Sequence, residues 1–300
     1  MIEIIHVSKH FDHIRAVSDL SITIPSGRVF GLVGTNGAGK STLLRMAAGV
    51  LRPDTGEILV DGAPVYEHPE TKQRFFHISD ESWFFPNAVP DTMADYYALL
   101  YPAFSRDLYR DLMDRFGLER KRQIRTFSKG MKKQLSVILG LSCRTDYLFC
   151  DETFDGLDPV MRQGVKGLFA EEMAARSFTP VIASHNLREL EDICDRIGLL
   201  HEGGVLLDRQ LDDLKLGVHK IQCVIRDPEK EKKMLERVKP TRISRQGSLM
   251  ILTVTGNKEE LLAKISQADP LFSEILPLTF EEIFIEETKE AGYEIKHLFS

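Results

Sequence analysis

Residues 29–44 read VFGLVGTNGAGKSTLL. An apolar run enters the stretch, three glycines and a lysine occupy its middle, and a helical pattern leaves it. Gly34 to Ser41 fits G-x-x-x-x-G-K-[ST]. The residue types follow from the task of holding phosphate. Gly34, Gly37 and Gly39, with Thr35, Asn36 and Ala38 between them, allow a tight loop whose backbone N–H groups turn inward on phosphate oxygens. The helix that follows adds its positive N-terminal end. Lys40 is placed to reach the β- and γ-phosphates, the Ser41 hydroxyl to ligate Mg²⁺, and Thr42 to support the α-phosphate. Such a loop alone leaves kinases, GTPases and many ATPases open.

A second site narrows the choice. YLFCDE, residues 147–152, is an apolar strand that ends in Asp151 and Glu152. An acid at that point holds Mg²⁺ directly or through water, and the next acid polarises a water for in-line attack on the γ-phosphate. A strand-terminal pair of charges that merely meets solvent is the bland alternative, and the phosphate loop upstream argues against it.

The bulk properties set outer limits. The chain has 300 residues, enough for one large domain or two ordinary ones, and needs no disulfide or metal staple. A net charge of −6 and a pI near 5.9 argue against a dedicated nucleic-acid binder. Cys143, Cys150, Cys194 and Cys223 lack CxxC spacing and read as small buried hydrophobes of a reducing compartment. The N-terminal MIEIIHVSKHF is strand-like and carries no signal-peptide pattern. No apolar stretch approaches the ~18 residues that cross a bilayer, so at a membrane another subunit must span it.

Short apolar runs alternate with helical patterns, which predicts an α/β sheet. Residues 1–27 alternate as strands, residues 28–33 form a short buried strand, and STLLRMAAG reads as a helix stopped at Gly49. Residues 81–146 read as mostly helical, with Ser105 as an N-cap, an apolar face of Leu108, Leu112, Met113 and Phe116, and Gly117 as a C-cap. A second helix begins near Ser128. After about residue 210 the pattern becomes strand, helix, two strands, helix, strand, which predicts a separate α+β appendage of ferredoxin-like order over 211–300.

With these residues in place, the chain resembles the ATP-binding subunit of an ABC transporter over residues 1–210. Gly34 to Thr42 match the Walker A motif, Asp151 the Walker B aspartate and Glu152 the catalytic glutamate. FSKGM, residues 127–131, sits at the signature, and DGLDP, residues 155–159, at the D-loop with Asp158 as its acid. His185 in ASH takes the switch-histidine position, and Phe11 sits where an aromatic stacks on adenine. The resemblance implies a P-loop ATPase core with a helical subdomain, and ATP and Mg²⁺ as cofactors. It further implies a head-to-tail dimer in which each ATP lies between Walker A of one cassette and the signature of the other. There Ser128 and Gly130 would offer a hydroxyl, N–H groups and a helix N-terminus to the γ-phosphate, and His185 would hold that phosphate and the attacking water.

Two positions depart from the family pattern. The signature reads Ser128-Lys129-Gly130-Met131, and Lys129 adds a charge that favours phosphate. Asp80 stands where the Q-loop glutamine belongs; its oxygen can still ligate Mg²⁺, which predicts a working but altered metal shell. The following aromatics Trp83, Phe84, Phe85, Tyr96, Tyr97 and Tyr101 fall in the region that receives a coupling helix from the membrane subunit, although they could equally pack the helical subdomain itself. Residues 120–133 hold seven basic residues and no acid, read first as a solvated face, with anionic lipid or ATP across a dimer as alternatives and a nucleic-acid surface as a weaker one, given the negative overall charge.

The resulting expectation is a cytoplasmic ATPase subunit, peripheral at the inner face of the membrane, that pairs as a homodimer and powers a polytopic permease. The SKGM signature and the ending LTFEEIFIEET resemble exporter-type cassettes. A non-transport ABC ATPase acting on ribosomes or nucleic acid is the rival, and a regulatory module is a third reading. Only 88 residues separate Lys40 from Ser128, too few for the long coiled coils of chromosome-associated members.

Overall fold

The structure, a computed structural model, describes residues 1–276, 278–279 and 281–285, apart from the side chains of residues 215 and 216. Four of the eleven residues of the LTFEEIFIEET ending, 280 and 286–288, therefore lie outside the described residues. The chain divides into two compact units, Met1–Asp208 and Arg209–Ser300.

In the first unit, β1 (Ile2–Phe11) and β2 (Ile14–Ile24) form a long antiparallel hairpin. β3 (Phe30–Val33) leads into the phosphate loop and α1 (Lys40–Ala47) leaves it. β4 (Thr55–Val60) pairs antiparallel with β1 and with the short β5 (Ala63–Pro64), completing the sheet β2-β1-β4-β5. The short α2 (Pro69–Lys72) precedes β6 (Phe75–Ile78). A helical stretch follows, with α3 (Pro90–Leu100), α4 (Arg106–Arg115) and α5 (Lys129–Ser142). The Ser105 hydroxyl caps α4 by accepting from the Leu108 amide at 3.2 Å, and Gly117 takes a φ of +63° just past its end. On the buried face of α4, Tyr109 joins Leu112 and Met113, while Leu108 and Phe116 are only half-buried.

β7 (Tyr147–Asp151), α6 (Pro159–Ala175), β8 (Thr179–Ser184), α7 (Leu187–Glu191), β9 (Arg196–His201) and β10 (Gly204–Gln210) complete the unit. The second sheet has the order β10-β9-β3-β8-β7-β6. Its β3, β6, β7, β8 and β9 run parallel. Every residue of β3, β7 and β8 is buried, as expected of strands covered on both faces. Leu43, Leu44, Met46 and Ala47 of α1 share one core with Ile2 and Ile4 of β1, Val60 of β4 and Phe149 of β7, so α1 is packed between the two sheets.

The parallel register decides where chemistry can occur. Val33 lies level with Ser184, and Asp151 with Ala183. The residues that follow β3, β7 and β8 therefore emerge along one edge, the carboxyl edge where open α/β sheets bind their ligands.

In the second unit, α8 (Leu211–Gly217) precedes β11 (Val218–Val224), α9 (Pro228–Val238), β12 (Arg242–Gln246), β13 (Leu249–Thr255), α10 (Lys258–Ser266) and β14 (Phe272–Leu276). The sheet is antiparallel with order β12-β13-β11-β14, the ferredoxin-like arrangement. Ile221, Cys223, Leu252 and Val254 of the sheet pack with Met234 and Val238 of α9 and Leu261 and Ile265 of α10. The strands β9 and β10 and the helix α8 have no counterpart in the sequence reading. GLLHEGGVLLD offers a glycine turn between apolar runs, too short for periodicity to type.

One buried group in the parallel sheet makes stability depend on pH. Burial, helped by the charge of Arg45, pushes His77 of β6 down to about 4, and its Nε2 is buried with no hydrogen-bond partner. Between that value and the ordinary histidine range the unfolded chain binds the proton and the folded chain does not. Stability is therefore full above about pH 6.5 and falls as pH drops towards 4, by up to about 3 kcal/mol. Thermal melts should show Tm declining through that window, and a His77→Phe variant should decline less.

Candidate functional site

The phosphate loop is shaped by its glycines. Gly39 has φ +102°, and a Cβ placed there would stand 2.4 Å from the Ala16 carbonyl oxygen of β2. Lys40, the first residue of α1, is buried, and its ammonium donates to the carbonyl oxygens of Gly34 at 2.7 Å and Thr35 at 3.2 Å. Burial lowers its pKa from the ordinary lysine value, a tendency that the carboxylates of Glu152 and Asp151 oppose. Thr35, Ser41 and Thr42 are half-buried, Ala38 is buried, and Asn36 and Gly37 face solvent at the tip.

Asp151 ends β7 fully buried. Its Oδ1 accepts from the Ser41 hydroxyl at 2.9 Å, while Oδ2 is buried with no hydrogen-bond partner. Burial pushes this carboxyl above its ordinary range; the Ser41 hydroxyl opposes the push, and the nearby charges of Glu152 and Asp80 add to it. An orphaned, buried carboxylate oxygen beside a hydroxyl fits a hard divalent cation, which would supply the missing positive charge. Among the described residues no three or more His, Cys, Asp or Glu side chains are arranged to hold a metal ion by themselves. Ser41 and Asp151 thus suit Mg²⁺, which draws its remaining ligands from water and phosphate, better than a metal held by protein alone.

Glu152 follows directly, with its backbone at φ +46°. Its amide donates to the Ala183 carbonyl at 2.9 Å. Its carboxylate lies between two groups, with Oε1 3.6 Å from the Lys40 ammonium and Oε2 3.0 Å from His185 Nδ1. His185 itself is half-exposed, at the mouth of the site. Ser184 and Asn186, its chain neighbours, both bond to the buried carboxylate of Glu189, at 3.0 and 3.2 Å. The sequence reading missed Glu189; its signal is an acid four residues after the histidine, at the start of a helix.

The signature and the D-loop face each other within the chain. Ser128 caps α5, its hydroxyl accepting from the Met131 amide at 3.2 Å. The Lys129 ammonium sits 3.2 Å from Asp155 Oδ2, and a Cβ on Gly130 would come 3.3 Å from the Gly156 carbonyl. Asp158 caps α6, accepting from the amides of Val160 and Met161 at 3.0 Å each. Asp80 does not meet the Ser41–Asp151 pair through any hydrogen bond; its Oδ1 lies 3.3 Å from the ammonium of Lys133. Phe11 is exposed at the end of β1, with the Lys9 ammonium 5.7 Å from its ring centre. Of the basic run, Arg120, Lys121, Arg122, Arg125 and Lys129 form the expected solvated face, but Lys133 is buried.

The chain is 32% identical over 285 residues to the ABC transporter ATP-binding protein YtrB of Bacillus subtilis, covering 95% of this chain and 97% of that one. It belongs to the family of ABC transporter ATP-binding proteins. The ABC transporter family model matches residues 17–155, from β2 through Walker A and the signature to the D-loop. The daunorubicin/doxorubicin resistance ATP-binding protein DrrA of Streptomyces peucetius is 31% identical over 229 residues, 74% of this chain and 69% of that protein. A solved ATP-binding subunit of an ABC transporter superposes with a TM-score of 0.66 at 26% identity, over 72% of this chain and 92% of that one. Among the described residues no helix is long and apolar enough to cross a membrane.

Proposed function

We propose that the chain hydrolyses MgATP as a homodimer at the inner face of the cell membrane and drives a separate polytopic permease, most naturally an exporter. The observation that carries the ATPase reading is the Glu152 carboxylate, placed between Lys40 and His185 at the mouth of the phosphate loop. A carboxylate there can accept a proton from an attacking water, and His185 can orient that water against the γ-phosphate. Lys40 would exchange its loop carbonyls for the β- and γ-phosphates. Ser41 and Asp151 would hold Mg²⁺, which neutralises charge on the phosphate oxygens. Phe11, exposed, is available to stack on adenine. Ser128, Gly130 and Lys129 would meet the γ-phosphate held by a second copy, and Asp158 would lie beside that junction.

A strip of rings supports the permease partner. Trp83 stacks edge-on to Phe85 at 4.9 Å, Phe85 to Tyr96 at 4.8 Å, and Tyr97 to Phe76 of β6 at 5.0 Å. The rings divide between the two. Tyr97 and Tyr101 pack onto the sheet, whereas Trp83 is 62% exposed, and Tyr96 and Leu99 of α3 are 36% and 85% exposed. Exposed aromatics of this kind are the anchors that a docking helix uses. Export is favoured by relatives such as DrrA, whose name assigns it to drug resistance.

The decisive experiment is to tag the chain, solubilise native membranes gently and identify what accompanies it. A polytopic membrane protein is expected. Ribosomal proteins or nucleic acid with no membrane protein would overturn the transport assignment while leaving the ATPase in place.

A further inference from the structure

Lys133 is an anomaly in α5. The helix begins at the signature, yet its fifth residue is a lysine only 1% exposed, surrounded by the buried run from Gln134 to Ser142. A buried ammonium is costly unless it is paired and hydrogen-bonded. Lys133 is both: it donates to the backbone carbonyl of Glu152, and its ammonium lies 3.3 Å from Asp80 Oδ1 in the segment after β6. One side chain thus joins α5, the segment after β6 and the end of β7.

We propose that Lys133, with Asp80 as its counterion, is a positioning residue for the general base. The proposal rests on the reading of Glu152 as that base. The Glu152 peptide unit sits in a left-handed conformation, which a non-glycine residue adopts only at a cost. It is fixed at both ends, by its amide on Ala183 and by its carbonyl on Lys133. With the backbone held there, the carboxylate points at Lys40 and His185. Asp80 then has a different task from the metal ligation expected of it: a buried cation needs a carboxylate, and a neutral glutamine at position 80 would leave Lys133 uncompensated. The aspartate at the Q-loop position and the buried lysine of the signature helix are thus one paired arrangement.

The test compares wild type, Lys133→Met, Lys133→Arg and Asp80→Asn for kcat, KM for MgATP, the Mg²⁺ dependence of the rate, and Tm, with Glu152→Gln as a reference. Lys133→Met should lower kcat at least about tenfold, with KM within a few-fold, because the loss falls on the base and not on ATP binding. Lys133→Arg, which keeps the charge and the donors, should recover much of the rate. Asp80→Asn should lower kcat while leaving the Mg²⁺ dependence in place. Should Lys133→Met fail to fold, Lys133→Arg and Asp80→Asn still decide the matter. A Lys133→Met enzyme with wild-type kcat overturns the proposal, as does an Asp80→Asn enzyme that recovers full kcat at high Mg²⁺, which would make Asp80 a metal ligand after all. A Glu152→Gln protein that turns over normally would instead remove the reading of the base, whatever Lys133 does.

Discussion

Glu152→Gln is expected to bind ATP about as well as wild type and to hydrolyse it at least about 10²-fold more slowly. The substitution keeps the volume and the hydrogen-bonding reach of the side chain but removes its proton affinity, and general-base catalysis contributes about 10²–10⁴ in rate. The amide can still face Lys40 and His185, 3.6 and 3.0 Å from the carboxylate oxygens. ATP held without turnover should also keep two chains together, so size-exclusion chromatography in MgATP should show a dimer that wild type forms only briefly. Wild-type turnover in this variant would show that another group takes the proton.

The second large effect is predicted at Gly39. Its φ of +102° disfavours any side chain, and an added Cβ would stand 2.4 Å from a backbone oxygen that has nowhere to go. Gly39→Ala must therefore shift either β2 or the start of α1, and Lys40 begins that helix. We expect a loss of roughly 3 kcal/mol or more, hence a Tm lower by roughly 6–12 °C, and ATP affinity reduced about 100-fold or beyond. Gly37 is the control. It also has positive φ, +86°, but nothing lies within 4 Å of where its Cβ would be. Gly37→Ala should cost only the conformational term of about 1 kcal/mol. Equal effects in melting and nucleotide titrations would mean that loop conformation, and not the close approach to Ala16, governs the site.

The sequence carried the core of this site because each motif there is a local requirement of one loop. Gly34–Thr42 and YLFCDE could be read as phosphate loop and carboxylate strand without knowing what lies between them. Their convergence follows from β3, β7 and β8 being parallel, which the unbroken burial of those strands already suggested. Lys133 could not be found in this way. Within RKRQIRTFSKGMKK it is one of seven cations, and only the tertiary packing of α5 under the end of β7 separates the buried one from those facing water. Asp80 was picked out by its place after a strand, but its partner is 53 residues away along the chain, beyond any local pattern. The strands β9 and β10 were missed because a glycine-centred hairpin with half-buried residues on one arm has neither clear alternation nor a long apolar run.

The backbone of Glu152 has a consequence for how this chain tolerates mutation. Glycine or asparagine would occupy its left-handed conformation at lower energy, so the proposed general base sits where the fold would prefer another residue. Random substitution here is not neutral towards folding: some changes that would remove the proposed base would also relieve strain of about 1 kcal/mol. Selection for abundance and selection for activity therefore pull in opposite directions at this position. A copy released from its task would drift first towards a better-folded, silent cassette.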